Sequence, residues 1–277
     1  DERIPFIVAH EFFDALPIHA FQSVICSDSL QQTVESPEKK REGSSEAARN
    51  QKGQRIQWRE MVVTNSKVSS SDSPEFQLAL SDRPTPHSLY LPETSDRYKA
   101  LKVPGSLIEI SPESISYIQD FGRRIGGSKS KPRSIPSGAA IIIDYGPKNT
   151  VPINSLRAIR GHRHVSPFSS PGLVDLSVNV DFLALAEAAL AASPEVEVHG
   201  PLEQGPFLLT MGIRERAEML LKNATNDDEK RKRVESSWRK LVDWSGSGMG
   251  KVYKVMAITP RSGGRRKPVG FGGELDS

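Results

Sequence analysis

Acidic and imidazole side chains follow directly after an apolar segment near the start of the chain. Residues 4–9 are almost all apolar, and His10, Glu11, Asp14 and His19 come soon after them. An apolar run that ends abruptly at polar residues is typical of a buried β-strand whose carboxyl end lies at a ligand site. Two neighbouring carboxylates could bind a guanidinium group through paired hydrogen bonds, or they could accept a proton.

A second apolar run ends in the same way. The segment GAAIIIDYG, residues 138–146, is rich in β-branched isoleucine and closes on an acid and a tyrosine. Apolar runs without alternation indicate strands covered on both faces, as in a parallel sheet. The carboxyl ends of parallel strands lie at one edge of the sheet, so we predict that both runs lead into one site. The candidate catalytic residues are Glu11, Asp14, Asp144 and Tyr145.

Each of these segments also has a purely structural interpretation. The aromatic residues of HEFFDALPIH could pack into the core while Asp14 caps a turn. The DYG sequence could be a simple Asx turn with Gly146 in a conformation that favours glycine. A hydrolase that uses an aspartate nucleophile is another alternative, but it rests only on the strand-end carboxylates.

Three further patterns are weaker. RGHRH, residues 160–164, carries two histidines at i and i+2, but no third ligand lies nearby, so we predict a basic loop and no metal site. The single cysteine, Cys26, excludes a disulfide within the chain, and we interpret it as a buried or idle thiol. The glycines of GSGMG, residues 246–250, precede a strand, whereas a phosphate-binding loop follows one, so a turn is predicted.

The order of secondary structure predicts an α/β domain with a mostly parallel sheet. A third strand is predicted at residues 105–111. A helix follows from Pro112 to about Ile125, with Ser111 as its N-cap and Gly126-Gly127 at its end. Two other strands, 56–63 and 75–81, are expected to form a β-hairpin excursion, in which 56–63 also pairs with the segment HAFQSVIC. The remaining predicted elements are helices at 176–192, 213–221 and 227–242 and a last strand at 251–259.

Composition limits the partners and marks the loops. The chain has 277 residues, of which 36% are hydrophobic, and a net charge of only +3. Because its basic residues are scattered among acids, we predict no nucleic-acid binding. No apolar run has the length of a membrane span, and no targeting signal is recognisable. Polar residues dominate 27–55 and 66–75, which we interpret as disordered inserts, and 261–277 is predicted to be a flexible tail.

Seven segments in this order resemble one family. They are AHEFFDALPIHAFQ, SLIEISPES, GAAIIIDYG, SLRAIRGH, PGLVDLSVNVDF, GPLEQGPFLLTMGIRERAEMLLK and MGKVYKVMAITP. The family is the MidA-like group of S-adenosylmethionine-dependent methyltransferases. Its mitochondrial members are protein arginine methyltransferases that help to assemble respiratory complex I. The resemblance implies a Rossmann-like fold, S-adenosylmethionine as the cofactor, a complex I subunit as the protein substrate, and the mitochondrial matrix as the location.

The resemblance also assigns roles to residues. It implies that Glu11 and Asp14 are a pair of acids that orients the substrate guanidinium, and that His10 stands where the family commonly has an asparagine near the cofactor. The family's glycine-rich loop and second-strand acid are not recognisable. We therefore expect residues 1–260 to be the C-terminal part of a methyltransferase domain that is incomplete at its N-terminus. A non-catalytic binding module that lacks the cofactor-binding half is the alternative.

Overall fold

The structure, a computed structural model, describes residues 3–27, 54–66, 75–161, 163–224, 227–246, 248–264 and 267–272. The chain divides into two compact units. The first unit comprises residues 1–18 and 111–277, and the second comprises residues 19–110. Most of the two predicted inserts lies outside the described residues, so their predicted disorder stays a prediction.

The described residues form strands in both units. The strands are β1 (Phe6–His10), β2 (His19–Ser27), β3 (Gln54–Asn65), β4 (Phe76–Leu80), β5 (Leu107–Ile110), β6 (Ala139–Tyr145), β7 (Arg157–Arg160), β8 (Arg163–Val165), β9 (Asp175–Ser177), β10 (Val196–Glu203) and β11 (Tyr253–Pro260).

The helices lie between these strands. They are α1 (Pro86–Tyr90), α2 (Asp96–Ala100), α3 (Pro112–Gly126), α4 (Phe182–Ala192), α5 (Gln204–Thr210), α6 (Ile213–Lys222) and α7 (Asp228–Val242), with a short 3₁₀ turn at Leu91–Glu93. None of the helices in the described residues is long and apolar enough to cross a membrane.

The central sheet of the first unit is mixed, so the prediction of a mostly parallel sheet is wrong for the described residues. Its strand order is β1-β6-β11-β10. β1 and β6 are parallel, whereas β11 runs antiparallel to both β6 and β10. The predicted third parallel strand, now β5, instead pairs antiparallel with β2 in the second unit. Apolar runs indicate burial, but they carry no information about strand direction, which depends on how the chain returns to the sheet.

One face of the central sheet is covered by α3 and α4. Ile118 and Ile125 of α3 and Phe182 and Leu185 of α4 pack with Ile142 of β6 in a single buried cluster. The other face is open at β1, where Phe6 is 79% exposed and Val8 is 72% exposed. The first apolar run is therefore covered on one face only, unlike the strand buried on both faces that the sequence indicated.

Local signals predicted the helix ends with different success. Ser111 caps α3 as predicted, accepting a hydrogen bond from the backbone N–H of Ser114, and the helix ends at Gly126. α4 begins at Phe182, later than the predicted residue 176. Asp181 caps its N-terminus, and the residues before it pair as β9 with β7. The apolar pattern extended through β9 and hid this boundary.

The second unit is an antiparallel sheet in the order β4-β3-β2-β5. β2 pairs with β3, and β3 pairs with β4, which confirms both predicted pairings. Residues 28–53, between β2 and β3, lie outside the described residues.

The described part of the predicted flexible tail makes specific contacts. The ring of Phe271 lies 5.3 Å from that of Phe207, measured between centroids. The backbone N–H of Arg261 donates to the carbonyl of Glu195 at 2.8 Å. The tail was predicted to be flexible from its glycines, but Phe271 among them packs against Phe207 of α5.

A close backbone approach at Gly146 predicts a selective loss of stability. A Cβ at Gly146 would overlap the carbonyl oxygen of Val180, whose own N–H donates to the carbonyl of Tyr145 at 2.8 Å. Gly146→Ala should lower the free energy of unfolding by about 1–3 kcal/mol, because the backbone at Val180 must move to make room for the methyl group. Gly246→Ala is the control, since nothing lies within 4 Å of its added Cβ. Equal denaturation midpoints for the two variants would contradict this packing.

Candidate active site

Asp144, the penultimate residue of β6, holds the segment that follows β1. Its side chain is fully buried, with 0% exposure. One carboxylate oxygen, Oδ2, accepts the backbone N–H groups of Phe12, Phe13 and Asp14 at 3.1, 2.9 and 3.3 Å. The other oxygen accepts the N–H of Tyr145 at 2.9 Å. This carboxylate therefore replaces the hydrogen bonds that a regular element would provide to three consecutive donors.

The environment of Asp144 raises its pKa. Burial raises its pKa to about 7, and the nearby Asp14 carboxylate adds to the increase, while the N–H donors of Tyr145, Phe13 and Asp14 act in the opposite direction. A group with these contacts supports the site, but it has no exposed surface with which to touch a substrate.

Glu11 is the exposed carboxylate of the site. Its φ of 49° turns the chain away from the sheet directly after β1, and its N–H donates to the carbonyl of Ile143 at 3.0 Å. Its side chain is 43% exposed. The hydroxyl of Tyr253 donates to Glu11 Oε1 at 2.7 Å. The hydrogen bond fixes one carboxylate oxygen and leaves this side chain open to a ligand.

Two tyrosines support Glu11. The hydroxyls of Tyr253 and Tyr145 lie 2.5 Å apart. A hydroxyl carries one proton, so when Tyr253 donates to Glu11 it accepts from Tyr145. Burial, followed by its contacts with Tyr145 and Glu11, raises the pKa of Tyr253, and burial also raises that of Tyr145. Both hydroxyls therefore stay neutral donors at physiological pH.

Asp14 lies deeper than Glu11. It is 7% exposed, and the hydroxyl of Ser177 donates to its Oδ2 at 2.9 Å. Burial raises its pKa; the Ser177 hydrogen bond opposes this, and the charge of Glu11 adds to it. Arg157 is the nearby cation: its guanidinium lies 5.0 Å from the centroid of the Tyr145 ring and lowers the pKa of Asp14.

The structure brings the predicted residues to one edge of the sheet, although with different exposure. His10 is the most open, with a side chain that is 57% exposed and an Nε2 atom 3.9 Å from Glu11 Oε1. A carboxylate and an imidazole at a strand end are suitable for the amine or hydroxyl groups of a cofactor. In the RGHRH segment, Arg160 ends β7 and Arg163 begins β8, with His164 exposed, while residue 162 lies outside the described residues.

Three residues of the site were not predicted from the sequence, namely Tyr253, Ser177 and Arg157. Tyr253 is the first residue of β11 and pairs with Tyr145 in the sheet register. The start of an antiparallel strand lies beside the ends of its neighbours, so an antiparallel assignment of the last strand would have found Tyr253. No comparable signal marks Ser177 or Arg157, which reach the site from a separate small sheet of β7, β8 and β9.

Comparison with known proteins decides the family. Residues 1–202 match the family described as "Putative S-adenosyl-L-methionine-dependent methyltransferase". The chain belongs to this family. The resemblance predicted from the seven sequence segments is thereby confirmed.

Two curated relatives carry a more specific name. The chain is similar to "Protein arginine methyltransferase NDUFAF7, mitochondrial" of Bos taurus, with 29% identity over 255 residues, covering 92% of this chain and 45% of the bovine protein. It is similar to the Danio rerio protein of the same name, with 29% identity over 251 residues, covering 91% of this chain and 46% of that protein. The chain spans about half the length of the curated relatives it matches.

A solved structure shares the fold. It is a "likely methyl transferase" from Burkholderia thailandensis bound to S-adenosyl-homocysteine, and it matches with a TM-score of 0.64 and 22% identity. The match covers 100% of this chain and 56% of that one. The two chains therefore share the mixed α/β fold.

The contacts of Asp144 predict a loss of stability on amide substitution. In Asp144→Asn, one acceptor oxygen becomes an NH₂ group that faces N–H donors. Unpaired buried donors cost about 1–3 kcal/mol, so the free energy of unfolding should fall by that order. Asp175→Asn, at an exposed position of β9, makes the same chemical change and should have little effect. Chemical denaturation of both variants checks this, and equal stabilities would contradict it.

The raised pKa of Asp144 predicts that the stability difference between wild type and Asp144→Asn depends on pH. The folded-state pKa is about 7, whereas an unfolded aspartate titrates at about 3.9. Between these two pH values the Asp144 side chain is protonated in the folded state and ionised in the unfolded state. The free energy of unfolding of the wild type should therefore decrease as the pH rises from 4 to 7. The Asp144→Asn variant lacks this proton. The stability difference between wild type and variant should therefore narrow over that range, and a constant difference would contradict the raised pKa.

Proposed function

We propose that this protein is an S-adenosylmethionine-dependent protein arginine N-methyltransferase. The observation that carries the proposal is the exposed Glu11 carboxylate, held by Tyr253 at the edge of the sheet where α/β proteins bind ligands. Membership in the methyltransferase family and the names of the relatives support the chemistry.

The reaction needs a group that orients a cation. When bound, S-adenosylmethionine would supply the methyl group from its sulfonium and leave as the thioether, and the guanidinium nitrogen that accepts the methyl group would release one proton to solvent. A guanidinium is planar and stays protonated at physiological pH, so a carboxylate can bind it through paired hydrogen bonds and stabilise its charge. Glu11 is suited to this role because Tyr253 fixes Oε1 while the side chain remains open. Positioning and charge stabilisation of this kind supply much of the rate enhancement in group transfer.

The other three residues that were predicted to be catalytic, Asp14, Asp144 and Tyr145, act through Glu11 in this proposal. Asp144 holds the backbone of residues 12–14. Tyr145 donates to Tyr253 and thereby supports Glu11. Asp14, 7% exposed and bonded to Ser177, adds negative charge behind Glu11. The same burial argues against the hydrolase alternative, which requires Asp14 to attack a substrate.

His10 is the candidate contact of the cofactor on this chain, and Glu11 lies beside it. Both side chains are open at the carboxyl end of β1. The amino group and sulfonium of S-adenosylmethionine are cationic, and a carboxylate with an imidazole beside it fits such a ligand. The donor set therefore agrees with the cofactor that the family implies.

The substrate and location are proposed from the relatives. Relatives similar to this chain are named as mitochondrial protein arginine methyltransferases. We place this protein in the mitochondrial matrix, with an arginine of a respiratory complex I subunit as the methyl acceptor.

Removing the charge of Glu11 should impair methyl transfer. Glu11→Gln keeps the shape of the side chain but loses the charge that balances the guanidinium, so kcat should fall about 10²–10³-fold. Tyr253→Phe should cause a smaller decrease because the carboxylate keeps its charge. The measurement is transfer of labelled methyl groups to arginine-containing protein, followed by mass spectrometry of the product.

Glu187→Gln is the matched control. Glu187 is an exposed residue of α4, so the variant should turn over at the wild-type rate. Wild-type turnover in both Glu11→Gln and Asp14→Asn would remove the paired acids from the mechanism. Methylation of lysine instead of arginine would overturn the proposed substrate class.

A further inference from the structure

Two histidines and a glutamate meet in the second unit. His19 Nδ1 lies 2.6 Å from Glu60 Oε1, and His87 Nδ1 lies 3.5 Å from the same oxygen. The two imidazole rings are 4.1 Å apart between centroids. One ligand atom from each residue lies within 4.8 Å of the others. Three groups that commonly bind transition metals therefore converge on one small volume.

Each ligand comes from a different element. His19 begins β2 and Glu60 lies in β3, while His87 lies in the first turn of α1. The capping box formed by Thr85 and Ser88 sets the start of α1 and thus the place of His87. The side chain of Glu60 is 10% exposed, that of His19 is 26% exposed and that of His87 is 55% exposed. The cluster is anchored on its buried side and open to solvent on the side of His87.

We propose that His19, Glu60 and His87 form a binding site for a divalent transition-metal ion of the zinc class. Two imidazole nitrogens and one carboxylate oxygen are a donor set that zinc accepts, with a fourth position for water.

The separation between His87 and Glu60 suits such an ion, whereas that between His19 and Glu60 would lengthen when the ion binds. With metal–ligand bonds of about 2.0–2.2 Å, the ligands of a tetrahedral site lie roughly 3.3 Å apart. The separation of 3.5 Å between His87 and Glu60 is close to this value. The 2.6 Å contact between His19 and Glu60 is a hydrogen bond, which the metal would replace as the imidazole loses its proton.

Thr85 supplies the support that metal ligands usually have. Its hydroxyl donates to Oε2 of Glu60, so Oε1 is left to the two histidines. Hydrogen bonds of this kind orient a ligating carboxylate and are a regular part of metal sites. An ordinary ion pair would need only one imidazole, whereas two imidazole nitrogens and one carboxylate oxygen supply three of the four ligands of a zinc ion.

No metal site was predicted from the sequence, because no third ligand lies near the two histidines of RGHRH. The three residues lie at positions 19, 60 and 87, far apart in the sequence. Only the pairing of β2 with β3 and the placement of α1 bring them together.

Metal titration of the 277-residue chain tests the proposal. Zinc added to the chelator-treated protein should bind with one equivalent in calorimetry and raise the melting temperature, because it binds the folded state. Cobalt should produce the visible absorption of a four-coordinate ion, which zinc then displaces. In His87→Gln, affinity should fall at least 10-fold and the cobalt band should disappear, and His19→Gln should behave in the same way.

His199→Gln is the matched control. His199 also lies beside a glutamate, with Nε2 3.6 Å from Glu197 Oε1, but the described residues place no second histidine there. This variant should retain the wild-type affinity and the cobalt spectrum. No zinc binding by the folded wild-type protein, or equal loss in His87→Gln and His199→Gln, would overturn the proposal. Because His87 is half exposed, circular dichroism of His87→Gln should show an intact fold, so loss of metal binding there reports on ligation.

Discussion

The buried carboxylate of Asp144 is the constraint on which the candidate active site depends. Residues 12–14 leave β1 without a regular partner for their N–H groups, and one carboxylate oxygen accepts all three. Buried backbone donors must be paired, so this group determines the path of the chain after β1. Glu11 takes its position and its left-handed φ from that path. A buried segment thereby places an exposed carboxylate beside the sheet, on a residue with a strained backbone, as is common at functional sites.

The reversal of β11 is the second decisive feature. Because β11 is antiparallel to β6, its first residue, Tyr253, lies beside the carboxyl ends of β1 and β6. Tyr253 thus reaches Glu11 from 242 positions away. A parallel strand at the same place would put Tyr253 at the far edge of the sheet. The hydrogen-bonded row of Tyr145, Tyr253 and Glu11 therefore depends on the mixed sheet.

The second unit organises polar residues by a different route. Its antiparallel strands place Glu60 beside His19 with a largely buried carboxylate. A buried acid needs partners, and two imidazoles and a threonine hydroxyl supply them. The buried carboxylate of Asp144 also has hydrogen-bond partners, but all of them are backbone N–H groups. The difference in donors explains why one carboxylate supports a chain path while the other forms a cluster of metal-binding groups.

The sequence by itself determined the family, most local elements and part of the candidate site, because Tyr253, Ser177 and Arg157 were not predicted. Apolar runs located β1 and β6, Ser111 and Gly126 bounded α3, and the strand-end acids pointed to Glu11 and Asp144, because these signals depend on neighbouring residues only. Tertiary structure alone decided the direction of β11, the exposure of Phe6 and Val8, the burial of Asp144, and the meeting of Tyr253 with Glu11 and of His87 with Glu60. These features arise from contacts between distant segments, and the residues of a single segment carry no record of which partner will lie beside them.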